Sequence, residues 1–276
     1  MSRSFGQRLW SSLQERGPLC VGIDPSPALL AAWGLPDTPE GLERFSRTVV
    51  EAVGDLVAVV KPQSAFFERH GSRGIAVLET VLAELRRRGT VVVLDAKRGD
   101  IGSTTAAYAD AYLDRSSPLS ADAVTVTPYL GFGSLQPMID KAAEHDAGLF
   151  VLARTSNPEG AGVQLAVAAD GRTVGGTILD EVAALNRGAA PLGSLGVVLG
   201  ATLTGLAADV AGLNGPVLAP GVGAQGADPA GLRRTFGTAA TVVPSVSRGL
   251  LARGPGVADL REGARRLIDE CAEALS

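Results

Sequence analysis

The sequence predicts an α/β fold of the (β/α)8 TIM-barrel type. Eight short, β-branched apolar runs alternate with segments of helical periodicity over about 250 residues, the arithmetic of that barrel. The runs are continuous, as strands buried on both faces are, and almost every one ends in a polar residue. A doubly wound open sheet is the alternative, because periodicity does not report closure.

Taken in order, residues 1–16 read as a polar, amphipathic helix without the apolar stretch of a secretion signal. Strands are then expected at 19–23, 56–60, 91–94, 123–126, 149–152, 196–199, 216–218 and 241–243. Helical spacing marks 39–54, 74–88, 103–113, 135–145, 177–186 and 228–236, with Gly89 as a stop after three arginines. After the fifth strand, residues 163–167 alternate and Asp170-Gly171 is a hairpin-type turn, so a small excursion is expected at 161–173. No linker, fixed-period repeat or low-complexity tail interrupts the chain, which reads as one domain over 1–276.

Composition narrows the function. A net charge of −4 argues against a duplex nucleic-acid partner, which requires a basic face. Two cysteines and two histidines exclude a cysteine zinc site or a disulfide framework. Residues 188–208 carry no formal charge, but their glycines, Pro191, Ser194 and threonines make a poor membrane span. A soluble cytoplasmic protein is expected. Among 25 basic residues only Lys61, Lys97 and Lys141 are lysines. Lysine, unlike arginine, can give up a proton near neutral pH.

In a barrel, chemistry collects at the carboxyl ends of the strands. There stand Asp24, Lys61, Asp95 with Lys97, Thr127, Arg154 with Thr155, and Arg248. Asp95 and Lys97, two apart on a strand, are expected to share a face. Asp100 falls where the next helix should begin, as an N-cap or as a third charge of the site. Alternating carboxylates and ammonium groups hold one another charged, repel a further anion and stabilise a carbanion beside the lysine. The turn Pro220-Gly221-Val222-Gly223-Ala224-Gln225-Gly226 suits a phosphate, which Arg248 could close with a charged fork. His70 and His145 read as solvated surface, Cys20 as core.

The run Asp95-Ala96-Lys97-Arg98-Gly99-Asp100-Ile101 resembles the Asp-x-Lys-x-x-Asp motif of the orotidine 5′-phosphate decarboxylase family. The blocks beginning Lys61-Pro62-Gln63, Thr155-Ser156-Asn157 and Pro220-Gly221 resemble other segments of one bacterial branch, in family order. The resemblance implies a homodimer with shared active sites and no metal or organic cofactor. It implies that Lys97 protonates C6 of the pyrimidine, that Asp95 lies beside the substrate carboxylate, and that Lys61 and a partner's Asp100 complete the array. Asp24 and Lys61 would bind ribose hydroxyls, Ile101 and Thr104 would reach across the dimer, and Ser156 would contact the pyrimidine. Gln225 and Arg248, beside Pro220, would hold the phosphate. Many members have glycine before that arginine, where this chain has Ser247. The competing readings are a metal-dependent sugar-phosphate decarboxylase or aldolase, a non-catalytic nucleotide-binding barrel, and a Schiff-base aldolase using Lys97.

Overall fold

A computed structural model of the protein describes residues 3–223, 226 and 228–276. Eight parallel strands close in sequence order into a barrel: β1 (Cys20–Ile23), β2 (Val59–Pro62), β3 (Val91–Arg98), β4 (Ala123–Val126), β5 (Gly148–Arg154), β6 (Leu195–Leu199), β7 (Pro216–Pro220) and β8 (Thr241–Val246). Closure is made by β1 on β8, with Cys20 opposite Ser245 and Val21 opposite Val246.

Several strands run further than their apolar runs. β3 continues through Asp95 and Lys97, and β8 continues to Val246. A strand is held by its main-chain ladder, so it does not stop where its side chains turn polar. The second strand begins later than expected. The N–H groups of Leu56 and Val57 bond back to Val53 O at 2.9 and 3.1 Å, which makes that stretch the turn closing the helix Pro39–Val53.

Strand alternation sorts the core into two layers. One layer packs strands against helices and includes Val21, Val60, Val92, Leu94 and Val124. The other lies inside the barrel and includes Cys20, Val59, Val93, Ala123, Phe150 and Val243. The amino-terminal helix Phe5–Arg16 joins the inner layer, with Phe5 and Leu9 fully buried. Phe5 meets Phe150 edge-on, with ring centroids 6.1 Å apart. A reciprocal capping box between Ser4 and Gln7 starts that helix. Interior side chains at this depth leave no pore and contribute about 1.5–3 kcal/mol each on burial.

One pleat further along the strands the interior turns polar. Cys20, Val59, Val93, Ala123 and Val243 are followed two residues later by Gly22, Lys61, Asp95, Thr125 and Ser245. The site stands on that step.

The excursion after β5 is a helical turn, Ala161–Gln164, then one antiparallel bridge between Val167 and Thr173. Gln164 ties it back to β5 by accepting from Thr155 N at 2.9 Å and donating to Thr155 Oγ1 at 2.8 Å. The histidines are more covered than expected. The His70 side chain is 9% exposed, sheltered by Arg69 and Asp37 at the start of the helix Gly71–Arg87. No helix among the described residues is long and apolar enough to cross a membrane.

Candidate active site

Asp95 is the hub. Its Oδ2 accepts from Lys61 Nζ at 2.9 Å and Gln63 Nε2 at 3.0 Å. Its Oδ1 accepts from Lys97 Nζ at 2.6 Å and Thr125 Oγ at 2.9 Å. Four donors on one buried carboxylate fix both its rotamer and its charge. Burial alone would raise its pKa, but the Lys61 and Lys97 ammonium groups outweigh that and hold the carboxyl well below the usual range. Burial likewise opposes the charge on Lys61, and the Asp95 and Asp24 carboxylates reverse the effect, raising its pKa above the ordinary lysine value. Beneath them, burial pushes the Cys20 thiol up to about 12, so it stays a neutral packing group.

The two lysines differ in access. The Lys61 side chain is 7% exposed and that of Lys97 is 45% exposed, so Lys97 carries its ammonium at the open mouth. Simple alternation does not account for its direction. The register of β3 on β4 shifts between Leu94 and Arg98, and Lys97 has φ +47°, left-handed backbone that is costly for a lysine. Lys97 N donates to Thr125 Oγ1 at 3.0 Å, so one threonine holds both the strained main chain and the Asp95 carboxylate. Arg98 secures the same turn. It pairs with Glu68, donates to Ala96 O at 2.8 Å, and lies over the Tyr108 and Tyr112 rings at 5.7 and 5.9 Å. At Gly99 an added Cβ would come within 2.3 Å of Thr127 O, so only glycine fits that approach.

The structure thus joins Lys61, Asp95 and Lys97 directly. Asp24 follows β1 at the same rim, and its Oδ1 is buried without a hydrogen-bond partner. Ser156, Pro220 and Arg248 stand at the ends of β5, β7 and β8. Gln225 lies outside the described residues. Asp100 is not the cap of the next helix. Ile101 occupies that position before Gly102–Leu113, and the Asp100 carboxylate accepts from Ile101 N at 2.8 Å. Ile101 is 62% exposed and Thr104 is exposed. Sequence reasoning assigned no role to Thr125, Gln63 or the Glu68–Arg98 pair. The one available signal was a threonine between valines in a strand otherwise buried on both faces.

Known proteins resemble this chain over nearly its whole length. Relatives named orotidine 5′-phosphate decarboxylase from Salinispora arenicola and Streptomyces coelicolor are each 62% identical, over 99% of this chain and 99% and 98% of theirs. A crystal structure from Streptomyces avermitilis assigned to the same enzyme superposes with a TM-score of 0.97 at 60% identity, covering 99% of this chain and 96% of that one. The family model described as orotidine 5′-phosphate decarboxylase / HUMPS matches residues 17–262, from the turn before β1 into the last helix. With its whole barrel matched at that level, the chain belongs to the orotidine 5′-phosphate decarboxylase / HUMPS family.

Proposed function

We propose that this protein decarboxylates orotidine 5′-phosphate to UMP with release of CO2, the closing step of pyrimidine nucleotide synthesis. The observation that carries the reading is the Lys61–Asp95–Lys97 array, with one ammonium buried and one open to the mouth. The C6–carboxylate bond breaks with its electron pair left on C6, CO2 departs, and Lys97 Nζ delivers a proton to that carbon. Solvent then returns the proton to the amine. Asp95, held anionic, disfavours the substrate carboxylate in the ground state more than the transition state in which that charge moves to C6. Lys61, 2.9 Å from Asp95 Oδ2, keeps Asp95 charged. Ribose contacts at Asp24 and Lys61, a pyrimidine contact at Ser156, and phosphate contacts at Pro220, Gln225 and Arg248 would supply the binding energy expressed at C6.

The donor set disfavours the metal-dependent sugar-phosphate alternative. Asp95 already accepts four hydrogen bonds, and the Lys61 ammonium 2.9 Å away would repel a dication there. Protein stripped with EDTA is expected to convert orotidine 5′-phosphate to UMP in an ultraviolet assay at an undiminished rate. Recovery only on adding magnesium would reject this reading.

We further propose a homodimer in which each site takes Asp100, Ile101 and Thr104 from the partner. The exposure of Ile101 and the bond of Asp100 to its own loop, not to its own array, support it. Lys97→Ala and Asp100→Ala homodimers should each be inactive. Exchange of their subunits should restore up to about a quarter of the wild-type rate, as mixed dimers carry one intact site. Verified exchange with no recovery would reject the shared site.

A further inference from the structure

We infer that the Ser247 hydroxyl is a substrate-binding group that reads a sugar hydroxyl of the nucleotide together with Asp24. The inference rests on the decarboxylase reading and adds a residue to it.

Two buried polar atoms at the same rim lack hydrogen-bond partners, Asp24 Oδ1 and Ser247 Oγ. A buried hydroxyl or carboxylate oxygen left unpaired is costly, so such atoms are retained where a ligand completes them. The strand ladder brings these two together. Cys20 pairs with Ser245 and Val21 with Val246, so the next step sets Gly22 beside Ser247. Ser247 continues the inward side of β8 after Val243 and Ser245, and Asp24 continues that of β1 after Cys20 and Gly22.

Gly22 lets Ser247 pack directly against β1. A Cβ there would lie 2.9 Å from Ser247 Cβ and 3.2 Å from both Ser247 Oγ and Asp24 Oδ2. Any larger residue at position 22 would push Ser247 or Asp24 aside. The absent side chain thus brings an acceptor-only carboxylate and a hydroxyl that can donate close together.

That pairing selects the ligand group. A phosphoryl oxygen would be repelled by Asp24, although Arg248 is the next residue. A sugar hydroxyl can donate to the Asp24 carboxylate and accept from Ser247 Oγ at once. Ser247 therefore discriminates at the sugar and acts as a specificity residue.

The test is direct titration of wild type, Ser247→Ala and Ser247→Gly with UMP, 2′-deoxy-UMP, 3′-deoxy-UMP and uridine. Both variants should bind UMP about 3- to 10-fold more weakly, the worth of one neutral hydrogen bond. The ratio of variant to wild-type Kd should fall to about 1 for one of the two deoxynucleotides and persist for uridine. Unchanged UMP binding would overturn the assignment, as would a ratio that persists in both deoxynucleotides. A ratio lost only with uridine would place the hydroxyl on the phosphate and overturn it too. Failure of the wild type to bind UMP would instead reject the decarboxylase reading itself.

Discussion

Replacing Lys97 by alanine is expected to lower kcat for decarboxylation by at least about 10⁴-fold, since one change removes both the proton donor and a charge beside the forming carbanion. UMP binding should change by less than about threefold, because the product has no carboxylate at C6 and its sugar and phosphate contacts lie elsewhere. The fold should survive. Lys97 is 45% exposed, and such pairs are worth about 0–1 kcal/mol. Asp95 also keeps Lys61, Gln63 and Thr125 as donors. Lys97→Arg sharpens the result. Arginine keeps the positive charge and cannot release a proton near neutral pH, so that variant should be nearly as slow. The measurement is single-turnover conversion of orotidine 5′-phosphate at saturating enzyme. More than a tenth of the wild-type rate in either variant would remove Lys97 from the proton transfer.

The barrel was legible because its determinants are local. Eight apolar runs separated by helical spacing need no knowledge of partners, and their polar ends marked the catalytic rim. Asp95 and Lys97 were found for the same reason, yet their geometry was not. Alternation placed them on one face, whereas the contact depends on a register shift and on left-handed backbone at Lys97. Neither can be read from spacing, because both arise where β3 meets β4. Thr125 escaped notice for a related reason: it is a neighbour of Asp95 only across the ladder, 30 positions away in sequence. Position left Asp100 open as a cap or as a third charge of the site; its carboxylate accepts from Ile101 N, a contact that spacing does not decide. Glu68 and Arg98 are likewise 30 residues apart and meet only once the helix Ser64–Glu68 lies beside the end of β3.

The second large effect is on stability. Asp95→Asn should destabilise the protein by about 3 kcal/mol at neutral pH, because it leaves the Lys61 charge buried without its anion. Its pH dependence carries the stronger test. In the wild type the Asp95 pKa is depressed, so its contribution is present above the unfolded value near 3.8 and is lost only as pH falls through the lower folded value. The Lys61 pKa is raised, so its contribution is complete below the unfolded value near 10.5 and is lost only as pH rises through the higher folded value. Between those limits the array adds no slope. Removing Asp95 takes away the larger of the attractions that hold Lys61 charged, and burial, which acts in the opposite direction, then governs. The folded pKa of Lys61 drops below its unfolded value, so the unfolded chain binds more protons and the variant gains stability as pH rises. Urea unfolding at pH 6 and pH 9.5 should therefore show a wider gap between wild type and variant at pH 6. Parallel stability profiles for the two proteins would mean that Lys61 does not depend on Asp95 for its charge, and the array would lose its part in keeping Asp95 and Lys61 jointly ionised.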